Sequence, residues 1–200
     1  QKILKYVHRE DLKAGSDPMS IGPLVKLMHQ ANPEDPAKVF YCTVEFVIAK
    51  YHEQRQFFEE TQAKFQKVSQ VHKINGPYGK KIVLAVIESD DVNMNKVARS
   101  EYGCRADIVV QKRSTGNIQI FTNNNSELKI YDLTQIIRIQ EQLIRHGKLI
   151  TYNWKKLAEN GSAVNGAENW YFLEEGQMLL NGSDRIKTEA TAIPLDNIIE

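Results

Sequence analysis

Six residues in the second half of the chain, Lys112-Arg113-Ser114-Thr115-Gly116-Asn117, gather two cations, two hydroxyls and a glycine at one point. Such a set suits phosphate. Cations supply charge, hydroxyls and backbone amides supply donors, and glycine lets the backbone approach closely. The flanking segments, 107–112 and 117–122, read as strands, so the group forms the turn of a β-hairpin. An ordinary hairpin with a solvated basic turn has the same composition, and for the motif alone that is the favoured reading. Strand alternation also sends Lys112 and Arg113 in different directions unless the turn bends them together.

Other constellations are incomplete. Glu88-Ser89-Asp90-Asp91, at the end of an apolar strand, is the best acidic cluster, and strand ends often hold ligands. Capping of the following helix by Asp90 or Asp91 is the simpler account and the preferred one. His8-Arg9-Glu10-Asp11 offers acid, base and metal donors, against a commoner reading as a solvated ion pair. The five histidines show no metal-ligand spacing. Residues 76–81 contain glycine and lysine but lack phosphate-loop spacing, and they precede a strand where such a loop follows one. Cys42 sits in an apolar helical stretch and reads as a small buried hydrophobe, whereas Cys104 follows Gly103 in a loop. Their distance in sequence argues little for a disulfide. The chain hints at a ligand more clearly than at a reaction.

The elements that position these residues follow from hydrophobic period. Ser20 can cap a helix to His29, and residues 32–36 break and restart the chain. Residues 37–71 contain no Gly or Pro. Phe40, Val44, Val47, Tyr51, Phe58, Phe65 and Val68 mark one face of them. As one helix this stretch is roughly 50 Å long; a break near residues 52–55 is the alternative. Residues 75–79 form the clearest boundary. Residues 81–87 then read as a strand covered on both faces. A helix from Asp90 or Asp91 to about Tyr102, ended by Gly103, leads to the basic hairpin. Tyr131–His146 is amphipathic, with Leu133, Ile136, Ile137, Ile139 and Leu143 inward and Gly147 as its stop. A short helix over 153–159 and strands at 169–173 and 177–180 follow. The class expected is α+β (or α/β), with a helical region at 1–75 and a mixed sheet flanked by helices at 76–200.

A net charge of +1 in 200 residues gives no global pull toward nucleic acid, so an anion site must be local. No apolar run spans a bilayer. The start at Gln1 shows neither an initiator Met nor a signal region, which points to a processed or excised piece in a cytoplasmic setting.

Several of these segments resemble one family. They are the strand ending in Ile87-Glu88-Ser89, Ala106-Asp-Ile-Val-Val-Gln-Lys112 with its Ser-x-Gly-Asn turn, Ile118-Gln-Ile-Phe121, the aromatic pair before Leu173, and Leu179-Leu-Asn-Gly-Ser183. Together they resemble the C-terminal half of Myg-type metal-dependent hydrolases, relatives of the DHH phosphoesterases. The helix with Tyr51 to Phe58 is similar to that family's linker helix. The resemblance implies a substrate-binding region acting on RNA or small phosphodiesters, not catalytic alone. Lys112, Arg113, Ser114, Thr115 and Asn117 on one tip, and Asn181 and Ser183 on another, would contact substrate. The family's Asp-His-His metal motif has no counterpart here, and only Asp11 matches a late metal-site aspartate. The isolated chain is therefore expected to carry no cofactor, with divalent Mn or Mg entering only with an N-terminal half. Implied partners are RNA or another phosphate-containing ligand, and an N-terminal catalytic domain or a homo-oligomer. The alternative is a non-catalytic nucleic-acid-binding or protein-assembly module.

Overall fold

Asp35 opens the first long helix: its carboxylate accepts the Lys38 N–H at 2.9 Å, and Pro36 fills the first turn, where its missing N–H costs nothing. The computed structural model describes residues 21–76, 79–182 and 188–199. Asp11, Ser20, Ser183 and the side chain of Phe58, all named above, lie outside the described set. The chain divides into two units, Gln1–Glu59 and Glu60–Glu200.

In the first unit α1 (Ile21–Ala31) packs on α2 (Pro36–Arg55). Among the described side chains of α2, Val39 is buried. Phe40, Tyr41, Val44, Phe46, Ile48 and Tyr51 are exposed. This corrects the expected inward face, because α1 covers only a strip of a helix that is apolar on several sides. Cys42 is exposed as well, against the expectation of burial. A π-helical segment, Gln56–Thr61, follows immediately after the region where a break was expected, and leads into α3 (Gln62–Val68).

In the second unit β1 (Ser69–Asn75) pairs antiparallel along its whole length with β2 (Lys81–Glu88). The sequence pattern extends the helical region through 71 and sets a boundary at 75/76, whereas the pairing makes Ser69–Asn75 part of the sheet. The remaining elements are α4 (Met94–Arg99), β3 (Ile108–Lys112), β4 (Ile118–Thr122), α5 (Tyr131–His146), α6 (Trp154–Leu157), β5 (Tyr171–Leu173), β6 (Met178–Leu180) and α7 (Leu195–Ile199). The strand order is β1-β2-β3-β4-β6-β5, with β2 and β3 parallel and the other pairs antiparallel. This is a mixed sheet in an α+β fold, as expected.

Alternation along the strands gives the sheet two apolar faces. Leu84, Val86, Val110, Ile118, Ile120, Phe172 and Leu179 pack with Ile137 of α5 and the apolar side of α7. The opposite residues, Ala85, Ile87, Val109 and Phe121, are buried too, and α4 lies against β3 with its own buried Met94, Val97 and Ala98. Gly103 is required where the chain leaves α4, since a Cβ there would stand 2.3 Å from the Val97 carbonyl oxygen.

Helix α5 has the expected bounds, and Gly147 ends it at φ 67°. Its inward face is the expected one only in part: Ile137 is buried and Leu133 packs against the core. Ile136 and Leu143 are exposed, while Thr134, Gln135, Arg138, Glu141 and Gln142 are buried beside Ile137. The helix is rotated because those polar groups find partners inside the fold.

Candidate functional site

The parallel strands β2 and β3 end side by side, with Glu88 paired in register to Lys112 and the Ser89 N–H donating to the Lys112 carbonyl at 3.0 Å. The basic turn starts there. Arg113 N–H donates to the Asn117 carbonyl and Gly116 N–H to the Arg113 carbonyl, each at 2.9 Å. Gly116 takes φ 84°, which makes this a three-residue turn closed by a left-handed glycine. The Thr115 hydroxyl donates to Asn117 Oδ1 at 2.7 Å.

The turn already holds an anion. Ser114 N–H donates to Asp90 Oδ1 at 2.9 Å across the gap between the two strand ends. Hydrogen bonds from the Ser114 side chain and backbone outweigh the opposing effect of desolvation and, with a lesser pull from the Arg113 charge, hold the Asp90 carboxyl below the usual carboxylate range. Lys112 Nζ stands 3.5 Å from Glu88 Oε2. Two carboxylates thus face the two cations, a balance the sequence did not reveal. The capping expectation is corrected: Asn93 occupies the N-cap of α4 and its side chain makes no cap bond. Asp91 instead accepts from Asn93 N–H and from the Thr61 hydroxyl, each at 2.9 Å, and so fixes the turn before the helix.

The structure joins the two expected tips through one contact, Asn117 Nδ2 to Asn181 Oδ1 at 3.0 Å. Asn181 is fully buried. Its amide donates to the Asn169 and Glu189 carbonyls at 2.9 and 3.0 Å, and its oxygen also accepts Thr191 N–H at 2.9 Å. An asparagine side chain has two donors and one carbonyl oxygen, so these positions are all taken within the protein. In this arrangement Asn181 clamps the C-terminal segment and has no group left to offer a substrate.

A larger polar centre escaped the sequence reading. Glu141, fully buried, accepts from Asn169 Nδ2 at 2.8 Å, Trp170 Nε1 at 3.1 Å, Thr191 Oγ1 at 2.5 Å, Ala192 N–H at 3.1 Å and the Arg145 guanidinium. Burial alone pushes its carboxyl up; the hydrogen bonds, led by those from Thr191 and Arg145, outweigh this and bring it below its ordinary value. One turn away Arg138 donates to the carbonyls of Leu157, Glu159, Gly161 and Trp170. The only available signal was the spacing of Thr134, Arg138, Glu141 and Arg145, which places them on one helical face with Ile137.

Among the described residues no three His, Cys, Asp or Glu side chains converge to hold an ion. Cys104 is half-buried, and burial pushes its thiol up, away from an activated thiolate. Comparisons with protein-family models, with curated proteins and with solved structures find no match. No helix among the described residues is long and apolar enough to cross a membrane.

Proposed function

We propose that this chain is a substrate-binding region of a DHH-like phosphoesterase, acting on RNA or a small phosphodiester and not catalytic alone. One observation carries the reading: the Ser114 amide points at a carboxylate at the carboxyl ends of a parallel strand pair, where α/β sheets commonly hold ligands. A phosphate oxygen has the same acceptor chemistry as the Asp90 carboxylate and takes the Ser114 N–H when it displaces that side chain. Asp90 then acts as a competitor for the ligand. Anisotropy of a labelled oligonucleotide tests this. Asp90→Asn is expected to tighten binding, and Lys112→Ala with Arg113→Ala to weaken it and flatten its salt dependence. Equal affinities for all three chains across a salt titration remove the tip from the ligand surface.

A second reading, an assembly module, has its own observation in α2. The exposed apolar positions Phe40, Val44 and Tyr51, with half-buried Val47, form a 4-3-4 stripe that reads the same in both directions. In an antiparallel self-pair centred between Glu45 and Phe46, Phe40 meets Tyr51 and Val44 meets Val47 of the other copy. The palindromic spacing sets register, and the apolar stripe supplies the affinity. Light scattering after gel filtration is expected to give a dimer mass that Val44→Asp converts to monomer. A monomer mass for the unaltered chain eliminates this reading.

A further inference from the structure

We propose that the segment from Lys148 to Lys156 is a stacking platform for single-stranded nucleic acid. The proposal takes its ligand class from the phosphoesterase reading, but it uses a surface remote in sequence from the basic turn. Tyr152 is 76% exposed and Trp154 51%, and neither is part of the buried core. No Asp or Glu occurs from Gln142 to Ala158, while Lys148, Lys155 and Lys156 all lie within those bounds. Arg145 is left out of the surface because Glu141 and Glu189 hold it.

The backbone that carries the two aromatics is firmly held. Ile150 and Thr151 both donate their N–H to Gln142 Oε1, at 2.8 and 2.7 Å. The Thr151 hydroxyl donates to the Asn165 carbonyl at 3.0 Å, and Gln135 Nε2 donates to the Trp154 carbonyl at 2.9 Å. Asn153 Oδ1 accepts Lys156 N–H at 3.2 Å and starts α6. Thr151 and Leu157 anchor the segment from inside. A large aromatic side chain normally gains its stabilisation by leaving water. Here buried polar groups fix the backbone while the rings remain in solvent, an arrangement that lowers the ordering cost when something binds.

The chemistry of that partner follows from the mixture. Aromatic faces stack on unpaired bases, and the interspersed lysines neutralise the phosphates between them. A duplex hides its base faces and offers only phosphate to this surface. An acidic protein would satisfy the lysines but has no planar groups in series for the rings.

Intrinsic fluorescence of the full chain reads the contact directly, since Trp170 is fully buried and Trp154 is not. A single-stranded oligonucleotide of mixed sequence is expected to quench the Trp154 part of the signal, with Trp154→Phe as the control that removes it. Tyr152→Ala and Trp154→Ala should each weaken binding roughly tenfold, and Trp154→Phe should recover most of the loss. Lys155→Ala with Lys156→Ala should reduce the salt slope by up to about two phosphate contacts. Thermal melts of the aromatic variants should match the unaltered chain. Undiminished affinity in both alanine variants overturns the proposal, as does equal quenching by a duplex of the same sequence or no binding of either strand form. Loss of binding in these variants with normal binding in the Lys112/Arg113 pair supports the platform while removing the basic turn. The converse pattern does the reverse.

Discussion

Glu141→Ala is expected to destabilise the fold by about 3–5 kcal/mol, the range for removing one partner from a buried ion pair. The reason lies in what remains. The Trp170 indole N–H, the Asn169 amide, the Thr191 hydroxyl and the Ala192 N–H all lose their acceptor inside the protein, and Arg145 keeps only its contacts to Glu189 and the Ala190 carbonyl. Glu141→Gln should recover little, since its amide nitrogen brings a donor into a site made of donors. Urea titration measures the loss. The pH dependence has a definite sign. A carboxyl held below its ordinary value in the folded state binds fewer protons there than in the unfolded chain. Its contribution is therefore present above the unfolded value and disappears as pH falls through the folded one. The unaltered chain should lose stability on acidification from the ordinary glutamate range downward, and Glu141→Ala should lack that part of the slope. A parallel pH profile in both chains would show that Glu141 is not the group responsible.

Arg138→Met should also cost roughly 3 kcal/mol or more, because it strips the donor from several buried carbonyls at about 1–3 kcal/mol each. Its guanidinium is fully buried and joins four carbonyls spread from Leu157 to Trp170. Burial brings its pKa down to about 10, so it remains cationic at neutral pH. Arg138→Lys is expected to rescue poorly, because one ammonium cannot span the fork that reaches all four oxygens. Hydrogen exchange gives a local readout: the Gly161 and Phe172 amides, bonded to each other's carbonyls at 2.7 and 3.0 Å, should lose protection first. Retained protection there would mean that the loop stands without the arginine. Both charged residues meet at Trp170, one through its carbonyl and one through its indole, so the double variant should cost less than the sum of the two.

What the sequence reveals depends on how local the determining contacts are. Helix α5 ends where Gly147 turns left-handed, and the basic hairpin turns where Gly116 does; both follow from residue type and period. Strand β1 was missed because six of its seven residues are exposed and its polar residues mask the alternation. The rotation of α5 was hidden for a different reason. Arg138 and Glu141 are satisfied mainly by carbonyls and donors from segments 19–51 residues further along, which no helical pattern displays. The basic turn was legible as a turn, but its carboxylate partner comes from Asp90, 24 residues earlier. Clustered cations suggested an empty anion site, and the fold supplies an anion of its own.

The two margins of the sheet differ in their hazard for self-association. Strand β5 has its outer side partly covered by the bridge between Gly161 and Phe172. Strand β1 ends the sheet on the other side, with no further strand beside it among the described residues. A bare margin is a template for pairing with another chain, and proteins commonly restrain it with charge. Lys73 shares one face of β1 with the exposed Val71, while the exposed Ile74 points to the other face. That lysine places a charge beside the exposed valine on the open margin, where an added strand would have to bury it.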